Sequence, residues 1–433
     1  MDTSSASKFC VLGAGASGLA MAKNFLQAGI PFDCLEREDD IGGNWYFGKP
    51  ASSVYASTHL ISSKRLTEFT DFPMPEGYPE FPSHTLVLDY LRDYARAFGL
   101  YDHIQFNTSV VTVEPRAEGW LVQLDGGEER LYQGVVIANG HNWHPRIPDY
   151  RGDFFGEVLH SSTYKFPGTM QGKRVLVVGG GNSGFDLGVE AAIHAKQASI
   201  SLRRGYHVLP KFFKGKPIDE CGETVHAWRL PLWLRRLAAK LVVRWVLGSP
   251  QQTGLPRPDH RLFESHPIIN SRLHDQVAHG DLTVRGDIAE LQGESVRFVD
   301  GTTAPFDMII YATGFHLSFP FIDTKYLNWQ TNRPCLFLNV FHPERDDLFC
   351  VGLIQPDSGQ WGLVDYQAQL IAHYLRARSR KSHTAKWFAQ LKGNPSPGLG
   401  QGIRYLDSPR HLLEVEHFSY RRRLQKLIAK FVE

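Results

Sequence analysis

Short apolar runs alternate with helical patterns along the chain, and two of the apolar runs end in a glycine-rich turn. The first run and its turn read FCVLGAGASGLA, and the second read RVLVVGGGNSGFD. An apolar strand that passes through such a turn into a helix is the pattern of a dinucleotide-binding unit. The pattern therefore predicts an α/β fold with two Rossmann-like dinucleotide-binding domains in one chain.

The residues of the two turns are expected to hold the phosphates of two dinucleotides. In each turn the first glycine permits a tight bend, the second lets the backbone approach the pyrophosphate, and the third lets the helix pack closely on the strand. The pyrophosphate then lies at the helix N-terminus, where free N–H groups and the helix dipole favour an anion. The predicted contacts are Gly13, Gly15, Ala16, Ser17 and Gly18 in the first turn, and Gly179, Gly181, Asn182, Ser183 and Gly184 in the second.

The residues that end the next strand of each unit distinguish the two sites. The run PFDCLE ends in Glu36, which suits a ribose diol and would repel a 2′-phosphate. The run SISL is followed by Arg203 and Arg204, whose guanidinium groups suit a 2′-phosphate. The first site is therefore predicted to bind FAD or NAD, and the second NADPH.

The segment IGGNW, shortly after Glu36, favours FAD at the first site. Its glycine pair leaves the backbone free to approach a second part of a long cofactor. We therefore include Gly43, Asn44 and Trp45 among the residues predicted to bind FAD.

A third motif lies between the two turns, in the segment DFFGEVLHSSTYKFP. It has the pattern F-x-G-x-x-x-H-x-x-x-Y-K, formed by Phe154, Gly156, His160, Tyr164 and Lys165. With this motif the chain resembles the flavin-containing monooxygenases, whose fingerprint it is. The resemblance covers most of the chain and includes the segments TEFTDFPMP, GLPRPDHRLFESHPIIN and YATGF.

The resemblance implies the cofactors and the reaction. NADPH would reduce FAD, the reduced flavin would take up molecular oxygen as a hydroperoxide, and an amine nitrogen or a sulfur of a small-molecule substrate would attack the distal oxygen. The protein would then mainly orient the reactants and exclude water, so the resemblance assigns no acid or base catalyst. In the family the fingerprint supports cofactor geometry and the linkage of the two domains.

The NADPH-binding domain is expected to be inserted in the FAD-binding domain. We expect the first part of the FAD-binding domain over residues 1–148 and the NADPH-binding domain over residues 149–306. Residues 307–433 are then expected to complete the FAD-binding domain and to end in a C-terminal helix.

One position departs from the family pattern near the predicted oxygen site. Ile61 stands where the family has an asparagine, and an isoleucine side chain neither donates nor accepts a hydrogen bond. Either His59 or Ser62 supplies the missing contact, or the oxygenated intermediate is held less well and leaks peroxide. Lys64 still matches the family, so the candidate catalytic positions are His59, Ile61, Ser62 and Lys64.

Three other functions are weighed against an amine- or sulfur-oxygenating enzyme. A Baeyer–Villiger monooxygenase would act on ketones, but that related family usually has a tryptophan where this chain has Tyr164. An uncoupled NADPH oxidase or flavin reductase is the second alternative, and Ile61 favours it. A dinucleotide sensor without enzymatic activity is the least favoured.

A basic amphipathic stretch inside the second domain bears on partners. In HAWRLPLWLRRLAAKLVVRWVLG, the basic side chains Arg236, Lys240 and Arg244 share one helical face, and another face is formed by Leu234, Leu237, Leu241 and Trp245. Such a helix can lie on a membrane surface, but we favour packing on its own domain or on a partner subunit of a homodimer.

Composition excludes other classes of partner and indicates a compartment. The 433 residues carry a net charge of only +2 and no polybasic tail, which argues against nucleic acid binding. The five cysteines are scattered without a C-x-x-C pair, so we expect no metal site and a reducing, cytoplasmic location.

Overall fold

The computed structural model describes residues 5–228, 230–248, 254–394 and 398–432. Two parallel sheets of five strands each organise the chain, and each contains one of the predicted strand–turn–helix units. Strands and helices are numbered below in chain order. The α/β fold with two Rossmann-like units that the sequence predicts is confirmed.

The first sheet has the strand order β23-β7-β1-β2-β3, and all of its pairs are parallel. Alternate residues of β1 face two different cores. Phe9 and Val11 pack with the helical layer, whereas Cys10 and Leu12 pack with a three-stranded antiparallel sheet. The elements of this half are β1 (Phe9–Leu12), α1 (Ala16–Ala28), β2 (Phe32–Leu35), α2 (Lys64–Thr67), α3 (His84–Ala97), β3 (Ile104–Gln105), β4 (Val110–Arg116), β5 (Gly119–Leu124), β6 (Glu129–Tyr132), β7 (Gly134–Ile137) and β23 (Leu348–Cys350).

The second sheet has the order β10-β19-β11-β12-β15 and is also fully parallel. It is covered in the same way: Val175 and Val177 face helices, and Leu176 and Val178 face a small sheet that includes Val296. Its elements are β9 (Gly152–Phe154), β10 (Glu157–His160), β11 (Arg174–Val178), α4 (Asn182–His194), β12 (Gln197–Ser201), α7 (Arg272–His279), β15 (Leu282–Arg285), β16 (Ile288–Gly293), β17 (Ser295–Phe298), β18 (Thr303–Pro305) and β19 (Met308–Tyr311).

The two chain crossings between the sheets run side by side. Strand β8 (His144–Pro145) pairs antiparallel with β20 (Phe315–His316). The predicted return boundary after residue 306 is wrong, because β19 pairs with both β10 and β11 in the second sheet. The apolar run DMIIYATGF is thus a central strand of the second unit, and the chain leaves that unit only after Tyr311.

A long insertion follows β12 and precedes β15 in the second unit. It contains α7, the hairpin of β13 (Phe212–Phe213) and β14 (Lys216–Pro217), and the helices α5 (Ile218–Ala227) and α6 (Leu232–Leu247). The sequence predicts that α6 packs on its own domain or on a partner subunit, and the side of α6 that faces its own chain carries Arg235 and Arg236. Leu237, Leu241 and Trp245 are exposed, and Arg235 is buried instead. The guanidinium groups of Arg235 and Arg236 face the protein and donate hydrogen bonds to Gln401 and Glu264. These contacts stabilise the orientation of the helix.

The C-terminal part completes the first unit. Helix α8 packs against both α1 and α10, so the last helix is anchored to the core. The elements of this part are β21 (Trp329–Gln330), β22 (Arg333–Pro334), β24 (Gln355–Pro356), α8 (Trp361–Ser379), α9 (His383–Lys392), β25 (Glu414–Val415) and α10 (His417–Val432). Among the described helices, none combines the length and the apolar character needed to cross a bilayer.

Candidate cofactor sites and active site

The first glycine turn joins β1 to α1 and exposes the helix N-terminus. Gly13 has a φ of +101°, and a Cβ on Gly18 would overlap the carbonyl oxygen of Gly13. Glycine is therefore required for both the bend and the close helix–strand contact. Gly15 caps α1 with no side-chain hydrogen bond, and the first turn contains no acidic residue. The N–H groups that begin with Ala16 and Ser17 are thus available to an anion.

Glu36 follows β2 directly and lies beside this turn. Its side chain is buried, and its Oε2 accepts a hydrogen bond from the Ala14 N–H at 2.6 Å. Its Oε1 accepts from the Glu38 N–H at 3.0 Å. Burial raises the pKa of Glu36, and the two N–H donors oppose that rise. The carboxylate is therefore fixed at the strand end, where a ribose hydroxyl can donate to its remaining lone pairs.

The segment of Gly43, Asn44 and Trp45 forms a short 3₁₀ helix against the first turn. A Cβ on Gly43 would lie 3.0 Å from the Cα of Gly15, so the two backbones nearly touch. The Asn44 Oδ1 accepts hydrogen bonds from the N–H and the Oγ of Ser53, at 2.7 and 2.6 Å. Asn44 therefore orders the following loop, and Gly43 gives the close approach to the turn that the sequence predicts.

The second glycine turn repeats this geometry between β11 and α4. Gly179 has a φ of +128°, and a Cβ on Gly184 would overlap the carbonyl oxygen of Gly179. Gly181 caps α4 without a side-chain hydrogen bond. The guanidinium group of Arg410 lies 3.9 Å from the position of a Cβ on Gly181. A cation from the C-terminal part of the chain therefore stands over the second predicted pyrophosphate position.

Asn182 and Ser183, in the first turn of α4, use their side chains within the protein. The Asn182 Nδ2 donates to the Pro267 carbonyl oxygen at 3.1 Å, and its Oδ1 accepts from the Ile269 N–H at 3.0 Å. The Ser183 side chain hydrogen-bonds Tyr55. These two positions can offer their backbone N–H groups to a phosphate, whereas their side chains brace neighbouring segments.

Four arginines gather near the second turn. Arg203 and Arg204 follow β12, as predicted, and they are joined by Arg146 from the first crossing and by Arg410. Burial lowers the pKa of Arg146, and the charges of Arg203 and Arg410 lower it further. Among the described residues, the carboxylate that pairs with the cluster is Asp259, 3.8 Å from Arg204. The cluster therefore holds excess positive charge and suits an anionic ligand.

Arg410 is the member of this cluster with the most contacts around the turn. Its Nη1 donates to the Gly180 carbonyl oxygen at 3.3 Å, and its guanidinium carbon lies 5.6 Å from the centre of the Tyr206 ring. Burial lowers the pKa of Arg410, and burial together with Arg410 lowers the pKa of the adjacent His411 to about 3. Arg146 and Arg410 could not be predicted, because neither lies in a glycine turn or after the second strand of a strand–turn–helix unit.

The fingerprint residues connect the two units. The Nε2 of buried His160 lies 3.1 Å from the Gly314 carbonyl oxygen in the return crossing. The Nζ of Lys165 donates to the Ser52 and Val54 carbonyl oxygens at 2.7 and 3.0 Å. These contacts join the second unit to the crossing and to the first unit, consistent with the linking role that the resemblance implies.

The candidate residues near the predicted oxygen site make local hydrogen bonds. His59 is exposed, with its Nδ1 2.8 Å from the Ser57 carbonyl oxygen. The Ser62 Oγ lies 2.8 Å from the Thr67 Oγ1. The Nζ of Lys64 donates to the carbonyl oxygens of residues 76 and 78, at 3.0 and 2.7 Å. Lys64 thus braces the following loop, and half-buried Ile61 adds no polar group.

The carboxylate of Asp219 connects this segment to the insertion. The Oδ2 of Asp219, in α5, accepts from the N–H and the Oγ of buried Ser63 at 2.8 and 3.0 Å. It also accepts from the Ser358 Oγ at 3.3 Å. Asp219 therefore fixes the segment around Ile61 between the two units. No spacing in the sequence indicates this contact.

The segments that contain Trp45, Leu66 and Trp361 meet beside the first glycine turn. Trp45 and Trp361 pack edge to face with ring centres 6.0 Å apart. A Cβ on Gly359 would overlap the Leu66 carbonyl oxygen, so the loop before α8 lies directly on the segment after Ile61. A Cβ on Gly352 would likewise overlap the Ser17 Oγ. The return segment therefore reaches both the segment after Ile61 and the first glycine turn.

Comparison with known proteins agrees with this geometry. Residues 6–391 match the model of the family described as flavin-binding monooxygenase-like. Flavin-containing monooxygenase 5 of Oryctolagus cuniculus is 32% identical over 452 residues, which cover 98% of this chain and 83% of the relative. Dimethylaniline monooxygenase [N-oxide-forming] 2 of Rattus norvegicus is 34% identical over 389 residues, which cover 84% of this chain and 72% of the relative.

Solved structures share the fold at low sequence identity. The S-allyl-L-cysteine S-oxygenase of Allium sativum has a TM-score of 0.68 at 22% identity, covering 98% of this chain and 88% of its own. The open crystal structure of cyclohexanone monooxygenase has a TM-score of 0.68 at 17% identity, and the match covers 98% of this chain and 97% of that chain. The chain belongs to the flavin-binding monooxygenase-like family, and it is an FAD- and NADPH-dependent monooxygenase.

Proposed function

We propose that the protein uses NADPH and molecular oxygen to oxygenate a soft nucleophile, an amine nitrogen or a sulfur. The observation that carries the proposal is the opposite charge at the two glycine turns. Glu36 lies beside the first turn, whereas Arg410 lies over the second and belongs to a cluster with Arg146, Arg203 and Arg204. This difference suits two different dinucleotides bound in one chain. The N-oxide-forming activity in the name of the rat relative supports an amine as substrate.

The first unit would hold FAD by its backbone and one carboxylate. The N-terminus of α1 would bind the pyrophosphate, and Glu36 would accept hydrogen bonds from the adenosine ribose. The backbone of Gly43 would extend the FAD-binding surface of the turn, because it lies directly against Gly15. When bound, FAD supplies the redox chemistry that links NADPH oxidation to oxygen activation.

The second unit would hold NADPH mainly by cations. Arg203 and Arg204 would bind the 2′-phosphate, because both follow β12, whose end would lie beside the adenosine ribose. Arg410 would bind the pyrophosphate over Gly181, a part that NADPH and NADH share. Arg146 would add charge from the crossing between the units. We assign this unit to residues 149–311, with FAD bound by the segments before and after it.

The pocket would act by shape and by exclusion of water. Trp45 and Trp361 form an aromatic wall, and Asp219 holds the segment around Ile61 against the insertion. His59 is exposed, and Lys64 already donates to two carbonyl oxygens. The site thus offers orientation rather than a general base, which fits a soft nucleophile that needs no deprotonation.

Two alternative outcomes follow from specific residues. Ile61 leaves the pocket without the polar side chain expected there, which favours leakage of hydrogen peroxide. Oxygen insertion beside a ketone is the second alternative, and the fold similarity to cyclohexanone monooxygenase agrees with it. Tyr164 occupies the position where the ketone-oxidising family usually has a tryptophan, which argues against this alternative. Its ring centre lies 5.8 Å from that of Tyr55.

The test supplies purified enzyme with NADPH and oxygen and offers N,N-dimethylaniline, a thioether and cyclohexanone in parallel. Mass spectrometry identifies the products, and hydrogen peroxide is measured against the NADPH consumed. An N-oxide or a sulfoxide supports the proposal. A lactone as the main product, or peroxide equal to NADPH with every substrate, would contradict it.

The state of the five cysteines indicates the cellular compartment of the protein. All five are unpaired, and Cys10, Cys34 and Cys350 are buried in the first sheet. We infer a reducing compartment, the cytoplasm, as the place where the enzyme works. Redox-sensitive localisation reporters fused to the chain would test this inference.

A further inference from the structure

The segment HPIIN, which ends at Asn270, lies directly against the start of α4. Asn182, in the first turn of α4, donates to the Pro267 carbonyl oxygen at 3.1 Å and accepts from the Ile269 N–H at 3.0 Å. One turn later, the Oδ1 of Asp186 accepts a hydrogen bond from the Asn270 Nδ2 at 2.5 Å. These hydrogen bonds fix the segment to the helix whose N-terminus would face the coenzyme.

The C-terminal part of the chain contacts the same region next to Arg410. The Nε2 of His411 lies 3.1 Å from the Oγ of buried Ser265, which directly precedes the HPIIN segment. The Nδ1 of His411 lies 2.7 Å from the Ser408 Oγ. Burial and the charge of Arg410 lower the pKa of His411 to about 3, so the imidazole is neutral. A neutral imidazole has one donor and one acceptor, and each can pair with one of the two hydroxyl groups.

Two further contacts hold the chain on either side of Arg410. The Leu406 N–H donates to the Glu264 carbonyl oxygen at 2.9 Å, which joins this stretch to the insertion. The Glu414 carboxylate lies 3.3 Å from the Nδ1 of His266. Arg410 therefore extends from a stretch of chain that is fastened to the second unit both before and after it.

The contacts of the Arg410 guanidinium group itself are weaker. Its hydrogen bond to the Gly180 carbonyl oxygen is 3.3 Å long, just beyond the usual range for such bonds, and its other contact is with the face of the Tyr206 ring. Burial lowers the pKa of Arg410, and the charges of Arg203 and Arg204 lower it further. Burial and like charge both oppose this position of the guanidinium group, so contacts elsewhere must hold it there.

We propose that His411 positions Arg410 for the pyrophosphate of the coenzyme, a role that rests on the proposed contact between Arg410 and that pyrophosphate. The imidazole of His411 joins the hydroxyl groups of Ser265 and Ser408, so it fixes the backbone from which Arg410 extends. It does so without adding another cation to the cluster. Loss of this bridge would let Arg410 adopt other rotamers, and binding would then cost more conformational entropy.

The experiment measures equilibrium binding of NADP⁺ and of NAD⁺ to the FAD-loaded protein by calorimetry, so no oxygenation step affects the result. His411→Leu removes both hydrogen bonds, and the affinity for each coenzyme should fall about fivefold, because both carry a pyrophosphate. His411→Gln should bind within about twofold of the wild type, because an amide can donate to one hydroxyl group and accept from the other. The matched control is His279→Leu, an exposed position in α7 that should leave both affinities unchanged.

A double-mutant cycle separates positioning from a general effect on folding. Arg410→Gln should weaken binding of both coenzymes about tenfold. Adding His411→Leu to it should weaken binding no further, because the side chain that His411 positions is then absent. Ser265→Ala removes one partner of the imidazole and is the milder variant, with an expected loss of about threefold.

Three results would overturn the proposal: unchanged coenzyme affinity in both His411→Leu and Ser265→Ala, a loss in His411→Gln as large as in His411→Leu, or additive losses in the double variant. Wild-type affinity in Arg410→Gln would overturn both the positioning role and the pyrophosphate contact. Coenzyme binding that follows these expectations in an enzyme that forms no oxygenated product would support the positioning role and contradict the proposed function alone.

Discussion

Replacing Arg203 with alanine should change the choice of coenzyme and leave the rest of the reaction intact. Arg203 follows β12 and belongs to the cluster of four arginines at the second glycine turn. A charge-assisted hydrogen bond to a phosphate contributes about 1.5–3 kcal/mol. Because Arg203 is exposed and solvent screens its charge, we take the lower end, which predicts about a tenfold loss of kcat/KM with NADPH.

NADH provides the internal control, because it lacks the 2′-phosphate and should be used equally by wild type and Arg203→Ala. In the double variant Arg203→Ala/Arg204→Ala, kcat/KM should fall about a hundredfold with NADPH and change little with NADH. Arg410→Gln is the matched variant. It removes a charge near Gly181, where both coenzymes carry their pyrophosphate, so kcat/KM should fall by a similar factor for both.

The assay is steady-state NADPH and NADH oxidation under saturating oxygen, with flavin content measured for each variant. Equal use of the two coenzymes by the wild type would refute the reasoning. An equal loss with NADH in Arg203→Ala would also refute it, because that result would place Arg203 away from the 2′-phosphate.

Three further predictions concern the first turn, the pocket and the pH dependence of stability. Gly15→Val should abolish FAD content in a folded protein, since a side chain would block the pyrophosphate from the backbone; normal flavin absorbance would rule this out. Ile61→Asn should lower the ratio of peroxide released to NADPH consumed, and an unchanged ratio would show that Ile61 does not cause leakage. Burial and the neighbouring carboxylates of Glu416 and Glu414 raise the pKa of Asp357 to about 7, so the stability it confers is complete below pH 4 and is lost as pH rises through 7. Asp357→Asn should therefore raise Tm more at pH 8 than at pH 5, and an equal change at both values would contradict this cause.

The two turns could be predicted because their geometry is local. Gly13 and Gly18 lie five residues apart, and the backbone contact between them forms whenever a strand enters a helix through such a turn. Glu36 and Arg203 were predictable for a similar reason, because each follows the strand next to its turn. The strand–turn–helix pattern and the short distance along the chain to the end of the next strand are sufficient to predict these positions.

The contacts made across the sequence could not be predicted. Arg410 reaches the second turn from 230 residues away, and Asp219 reaches Ser63 from 156 residues away. The return boundary could not be predicted, because the apolar run from Met308 to Tyr311 suits a central strand of either sheet. The orientation of α6 could not be predicted either, because Arg235 is buried and contacts His226 and Gln401, and helical periodicity does not reveal such contacts.

The central claim is that the two units cooperate to transfer one atom of molecular oxygen to a soft nucleophile. The most direct test is one turnover series with NADPH and N,N-dimethylaniline under ¹⁸O₂, with mass spectrometry of the product and parallel measurement of NADPH and peroxide. We expect an N-oxide that carries the heavy oxygen isotope, in an amount equal to the NADPH consumed minus the peroxide released. A product with oxygen from water, or NADPH consumption that yields peroxide and no oxygenated amine or thioether, would contradict it.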